Sequence, residues 1–315
     1  MRINVGLKLG LWLALLGIFS TSLTGYYAYT KSRTLLINAA EDKLLTATQV
    51  LAHRFTSSIA GITSDASLFT TLPTVKRIAN SPVDANEITA EKAQLAQVMS
   101  SMLISHPEYF QIRLIGKHNF GREIVRVDRD YDGIKIVTGD ELQEKGYLAY
   151  FYKTLKLKPG EFYVSRINLN RELGAHLGLN KPTIRIATPI ESNTGKVFGI
   201  IVINVDLNQM FSLIKSDIPK DIKVFLTNSE GDYLIHPDAS KTFGFDLGRR
   251  FLIQNDLKET TGILNGTGNN IVLNTNDIEE PDSAYVASFV KVPFGTNDNR
   301  FVLLGLSTPL NAVLQ

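Results

Sequence analysis

Between Leu9 and Thr30 the chain runs for 22 residues without a charged side chain, and whatever folds after it must be organised around that stretch. A helix rising 1.5 Å per residue needs about 20 apolar residues to cross a hydrocarbon layer of roughly 30 Å. Tyr26, Tyr27 and Tyr29 close the run, where an aromatic ring sits in lipid and its hydroxyl in water. Arg2 and Lys8 precede it and favour a cytoplasmic N-terminus, while Lys31 and Arg33 follow and keep the charge bias small. The competing reading is a cleaved signal peptide with Leu9 to Phe19 as its apolar region. The stretch continues to Tyr29 and no small-x-small site follows, which favours an uncleaved anchor. Most of the chain is then expected outside the cytoplasm.

Composition narrows the function classes. Lys plus Arg number 33 against 31 Asp plus Glu, without the basic excess of a nucleic-acid binder, so no nucleic-acid partner is expected. Cysteine is absent, which excludes a zinc ribbon, a disulfide scaffold and a thiol nucleophile together. Absence of cysteine also suits a bacterial protein facing an oxidising compartment. Over 315 residues, a 44% hydrophobic share is enough for two folded units.

After the anchor, apolar residues recur at three- and four-residue steps from Ser32 to about Arg77, the pattern of a helix of some 40 residues. That is too long for a compact core and suits a stalk running out of the membrane. Pro73 and Pro82 punctuate its end, and a second helix is expected from Glu87 to Ser105. Strand patterns follow: 109–116 and 122–129 as a hairpin, then 161–169, 183–190 and 197–207, with a helix at 141–157 between them. Residues 207–218 read as a short helix. A smaller version of the plan then repeats, with a hairpin at 221–238 and later strands at 283–292 and 300–308. The order of elements repeats without sequence identity between the halves. The expected fold is α+β: a transmembrane helix at 9–30 after a cytoplasmic 1–8, a stalk helix at 31–80, and two strand-rich lobes, a membrane-distal one at 81–215 and a membrane-proximal one at 216–315.

The segments Gln111-Ile112-Arg113, Gly121 to Arg129, Tyr163 to Glu172, Arg185 to Pro189, Gly199 to Asp206 and Gly231 to Asp238, taken in that order, resemble the double Cache (PAS-like) sensor domains of bacterial transmembrane receptors. The resemblance covers nearly all of Ser32 to Gln315. It implies two tandem PAS-like lobes with antiparallel sheets, and a periplasmic sensor anchored in the inner membrane. It also implies attachment to a histidine kinase, a diguanylate cyclase or phosphodiesterase, or a chemoreceptor. Such receptors usually return to the membrane through a second helix, and the sequence stops at Gln315, where that helix would begin. A fragment, or a protein without its own output, is expected; the chain as given is not expected to be an enzyme.

Side chains two apart on a strand share a face, so Arg126 and Asp128 lie with Ile124, and Asn204 and Asp206 with Ile200 and Val202. Three arginines expected within strands of the first lobe, Arg126, Arg166 and Arg185, need partners, and a guanidinium fork suits a bidentate carboxylate. One reading has one or two of them clamp an anionic ligand in the membrane-distal lobe. The other pairs them internally: Arg126 with Asp128 or Glu123, Arg166 with Glu172, Arg185 with Glu191 or solvent. The resemblance adds Asp206, matching an aspartate that often receives a ligand ammonium, and Tyr163, matching a pocket tyrosine. The amino-acid-binding subgroup also carries an Arg-x-Trp-Tyr run, and residues 146–151 here read Gly-Tyr-Leu-Ala-Tyr-Phe. A small carboxylate is therefore the preferred ligand, with an amine as the alternative.

Other constellations are weaker. His236-Pro237-Asp238 reads as a loop-capping pair, with no third ligand at metal spacing. Gly121, Gly174 and Gly178 form no phosphate loop, His53, His106, His118 and His176 are scattered, and neither a cofactor nor a metal is expected. An apolar stripe on a lone stalk helix suggests a parallel homodimer. Two competing functions are a membrane-anchored hydrolase, for which no nucleophile–base set is visible, and an anchored binding protein or scaffold without output.

Overall fold

A computed structural model describes residues 5–81, 88–170, 181–216, 218–275, 284–295 and 300–314. Pro82, Glu172, Gly174, His176 and Gly178 lie outside these. The uncharged stretch and the expected stalk form one helix, α1 (Val5–Thr71), of 67 residues. Its first part is long and apolar enough to cross a membrane, and the large apolar side chains from Leu9 to Tyr29 are exposed, as lipid-facing groups are. Further along, Ile37, Leu44, Leu51, Phe55, Ile59, Ile62, Ala66 and Phe69 are buried at three-, four- and seven-residue steps. The chain breaks at Leu72, whose extended backbone is what a residue before proline prefers, and restarts with Pro73 as the first residue of α2 (Pro73–Asn80). Helix α3 (Thr89–Ser105) follows.

The first sheet contains β1 (Tyr109–Gly116), β2 (Glu123–Asp130), β3 (Gly133–Val137), β4 (Tyr163–Val164), β5 (Asn168–Leu169), β6 (Pro182–Glu191) and β7 (Val197–Asp206). Its order is β3-β2-β1-β7-β6-β4, with β5 also on β6, and all pairs are antiparallel. Alternation sorts its faces. Ile112, Leu114, Val125, Val127, Ile201, Ile203 and Val205 join the core shared with the helices. Ile115, Ala187, Ile200 and Val202 lie on the other face under Tyr150 and Phe151. Helix α4 (Ala149–Thr154) covers that second face, and α5 (Asn208–Ser216) leaves the end of β7.

The second sheet, of β8 (Lys223–Thr227), β9 (Tyr233–Ile235), β10 (Asn270–Asn274), β11 (Tyr285–Pro293) and β12 (Phe301–Pro309), has the order β10-β11-β12-β8-β9. It packs on the earlier part of α1: Thr48 Oγ1 meets Ser288 Oγ at 2.5 Å, both buried, and the Phe55 and Phe294 rings meet edge to face with their centres 5.9 Å apart. The later part of α1 packs on β6 and β7, so one helix supports both lobes.

The structure departs from the sequence reading in several places. The helix expected at 141–157 shrinks to α4, because Gly146 must approach the Phe120 carbonyl where an added Cβ would lie 2.5 Å from the oxygen, and this pins the preceding chain as a loop. The strand expected at 161–169 is broken into β4 and β5, with Arg166 in the gap rather than in a strand. Strands β3 and β10 were not expected; they are edge strands with exposed residues and little apolar signal. The close pairing of β1 with β7 gives a test of the packing. A Cβ at Gly199 would lie 2.2 Å from the Ile115 carbonyl oxygen. Gly199→Ala is expected to cost about 1–3 kcal/mol, read as a lower urea midpoint at unchanged slope.

Candidate ligand-binding site

The polar residues of the α4 face fall into two groups. The first is a closed ring on β2, β1 and β7, where cross-strand register sets Asp128 beside Gln111 and Gln111 beside Asn204. Gln111 Nε2 donates to Asp128 at 2.9 Å, and Asn204 Nδ2 donates to Gln111 Oε1 at 2.9 Å. Arg113 donates to Asn204 at 3.0 Å and to Glu123 at 3.4 Å. Arg126 completes the ring, donating to Glu123 at 3.4 Å and to Asp128 at 2.5 to 3.0 Å through Nη2 and Nε. All six are buried, with Arg113 fully enclosed and its guanidinium 5.2 Å from the Tyr150 ring centre. Burial alone would lower the Arg126 pKa; the hydrogen bond and charge of Asp128, with Glu123 behind, outweigh it and push the value up. Two guanidiniums and two carboxylates leave the ring neutral.

The second group lines a cleft of about 1070 Å³ between the two lobes. Its distal wall carries Lys145, Lys153, Arg166 and Arg185 and, among the described residues, no carboxylate. Arg185 donates to Asn168 at 3.2 Å and to Asn170 at 3.0 Å, and its backbone exchanges two 2.8 Å bonds with Ser165. Lys145, itself buried, donates to Gln143 at 2.6 Å. Tyr163 lies under the Arg300 guanidinium, 5.1 Å from its ring centre, and Arg300 also donates to the Val164 carbonyl. The proximal wall brings Glu230, Asp232, Asp246 and Arg250.

Of the six residues singled out from sequence, the cleft gathers Tyr163, Arg166 and Arg185. Arg126 and Asp128 are in the ring instead, paired with each other. Arg166 pairs with Glu230 at 3.0 Å, across the lobes, and Glu172 lies outside the described residues. Asp206 lies apart: it pairs with Lys181 at 3.2 Å, accepts from the Asn208 N–H at 2.9 Å, and lines a separate groove of about 650 Å³ between α1 and α5. There His106 stacks on Tyr109 at 4.6 Å, and the Tyr109 hydroxyl donates to Asp65 at 2.5 Å. Burial, reinforced by Asp65, raises the Tyr109 pKa far above the ordinary tyrosine value. Sequence reasoning passed over Arg113, Gln111 and Asn204 as site-forming residues, although polar groups at alternate positions of apolar strands were the available signal.

His236-Pro237-Asp238 is a loop-capping pair. The Asp238 N–H donates to His236 Nδ1 at 2.9 Å, and Asp238 accepts from the Ser240 N–H at 2.9 Å. No group of three His, Asp or Glu among the described residues is placed to hold a metal ion.

A family model for the bacterial histidine kinase sensor domain matches residues 67–257. Curated proteins gave no match. Among solved structures, the chain is similar to a domain of a sensory box/GGDEF family protein from Vibrio parahaemolyticus, at TM-score 0.70 and 19% identity over 90% of this chain and 99% of that one. The periplasmic sensory domain of the Campylobacter jejuni chemoreceptor Tlp1 gives TM-score 0.62 and 16% identity over 89% and 98%. The ligand-binding domain of the Pseudomonas aeruginosa amino acid chemoreceptor PctC, solved with GABA, gives 0.56 and 14% over 85% and 99%. The fold is therefore the Cache-type one, with its two antiparallel lobes.

Two outcomes follow from this geometry. Glu123→Ala leaves two buried guanidiniums facing each other, and urea unfolding is expected to show a loss of about 3–5 kcal/mol. Burial holds the His236 imidazole below the ordinary histidine range, with Lys241 also lowering it against the pull of Asp238 and Asp256. The folded value lies below the unfolded one of about 6.5, so stability present above that pH is lost as pH falls through it. His236→Gln is expected to lose less stability than the native chain between about pH 7.5 and 5.5 in the same assay.

Proposed function

Because the chain belongs to the bacterial histidine kinase sensor-domain family, we propose that it is the extracytoplasmic sensing region of an anchored receptor and that it takes a small organic anion, a carboxylate first, in the cleft. One observation carries the ligand class: among the described residues lining the cleft, six cationic side chains (Lys145, Lys153, Arg166, Arg185, Arg250 and Arg300) face three carboxylates (Glu230, Asp232 and Asp246). A guanidinium held between two amides, as Arg185 is by Asn168 and Asn170, is oriented for a planar, bidentate anion. The neutral ring beneath keeps that wall rigid. In this reading α1 is the membrane anchor and the dimer-forming stalk, and a kinase, cyclase, phosphodiesterase or chemotaxis module supplies the output. PctC, of the same fold, was solved with GABA, a small molecule carrying both a carboxylate and an ammonium.

Thermal unfolding of the detergent-solubilised chain against organic acids, amino acids and amines tests this. A ligand at ~100 times its dissociation constant adds about 2.7 kcal/mol, enough for a midpoint rise of a few degrees. The expected result is a rise with carboxylates, lost or weakened about tenfold in Arg185→Gln. A rise with amines that disappears in Asp206→Asn would move the site to the groove beside α5 and contradict the proposal.

A further inference from the structure

Arg166 and Glu230 belong to different lobes and meet across the cleft at 3.0 Å. Arg166 is carried by the irregular stretch between β4 and β5, and Glu230 by the turn between β8 and β9. That turn is stiff. Asn228 Oδ1 accepts from the Glu230 and Asp232 N–H groups at 2.9 and 3.0 Å, and Gln254 donates to the Glu230 carbonyl at 3.1 Å. Gly231 takes φ 91°, with Gln254 filling the space a Cβ would need.

Glu230 divides its carboxylate between the lobes, one oxygen on Arg166 and the other on Arg250, each at 3.0 Å. Arg250 does not depend on it, because Asp232 accepts from its Nε and Nη2, both at 2.7 Å. The Arg166 side chain is 78% exposed and that of Glu230 46%, so water and salt screen the pair. The Arg126–Asp128 pair, at 4% and 7%, is locked by comparison. Other contacts also span the gap, among them the Leu169 N–H to Asp246 at 2.7 Å, Arg300 to the Val164 carbonyl, and Arg300 over the Tyr163 ring at 5.1 Å. The first two take distal backbone groups, and neither involves Arg166 or Glu230.

We propose that Arg166–Glu230 is a displaceable latch between the lobes: an anion entering the cleft takes Arg166 from Glu230 and releases the proximal turn. This rests on the reading of the cleft as an anion site. Glu230 is thereby the proximal lobe's reporter of occupancy, since its turn joins two strands of the sheet that packs on α1.

The chain has no cysteine, so Lys156→Cys on the distal lobe and Lys258→Cys on the proximal lobe carry a spin-label pair cleanly in the full chain in nanodiscs. Without any ligand, Glu230→Gln and Arg166→Gln are expected to widen the inter-label distance distribution, and Arg166→Lys to keep it narrow. An unchanged distribution in Glu230→Gln overturns the latch whatever becomes of the anion reading. Succinate is the probe in a second arm. It is expected to widen the native distribution and to bind Glu230→Gln about two- to fivefold tighter, the range of an exposed ion pair. Succinate that binds without moving the distribution overturns the latch and leaves the anion site standing. Succinate that binds neither protein overturns the displacement step together with the anion reading.

Discussion

Two guanidiniums, two carboxylates and two amides close on one another inside the distal sheet, and the other parts of that lobe are arranged around them. Taking such charges out of water costs several kcal/mol for each ion, which only good geometry and complete hydrogen bonding offset. The ring meets much of that demand through register, though not at the buried Arg113 Nε. Asp128, Gln111 and Asn204 sit side by side only when β2, β1 and β7 pair as they do, and a one-residue slip would turn each of them to the helix side. The ring therefore fixes strand pairing as much as it fills space. It also decides which charges reach the cleft: Arg126 and Asp128 are satisfied by the fold itself, while Arg166 and Arg185 line it.

The same helix then ties the lobes to a common support. Thr48 and Ser288 join α1 to the proximal sheet, and the later turns of α1 lie under β6 and β7. Both lobes rest on α1, which continues without a break into the uncharged stretch at 9–30. The cleft lies where the lobes face each other, so its contents bear on both. The proximal lobe has a core of its own, in which Phe289 occupies the space beside Gly305: a Cβ there would lie 2.1 Å from its ring.

Periodicity made much of this legible in the sequence. The uncharged run, the stalk heptads and the alternation along β7 each follow from a repeat that one element imposes on its own residues. What periodicity does not carry is contact between distant segments. Arg166 and Glu230 are 64 residues apart, and no local pattern marks them as partners. Gly146 ends a helical pattern because of the Phe120 carbonyl, which lies on another loop. The arginines were visible as a problem needing partners, and Asp128 and Glu123 were visible as neighbours for Arg126. Which arginine would face the cleft depended on the second lobe, and strand alternation is silent about that.

Hydrogen exchange of the full chain with and without a saturating organic acid tests the central claim most directly, because it reports which backbone segments close on the ligand. New protection is expected at 145–154, 163–170 and 183–187, the segments of the cationic wall, with little change at 109–128 where the ring is already closed. Protection confined to 53–65, 106–109 and 206–216 would place the ligand in the groove beside α5 and contradict the account.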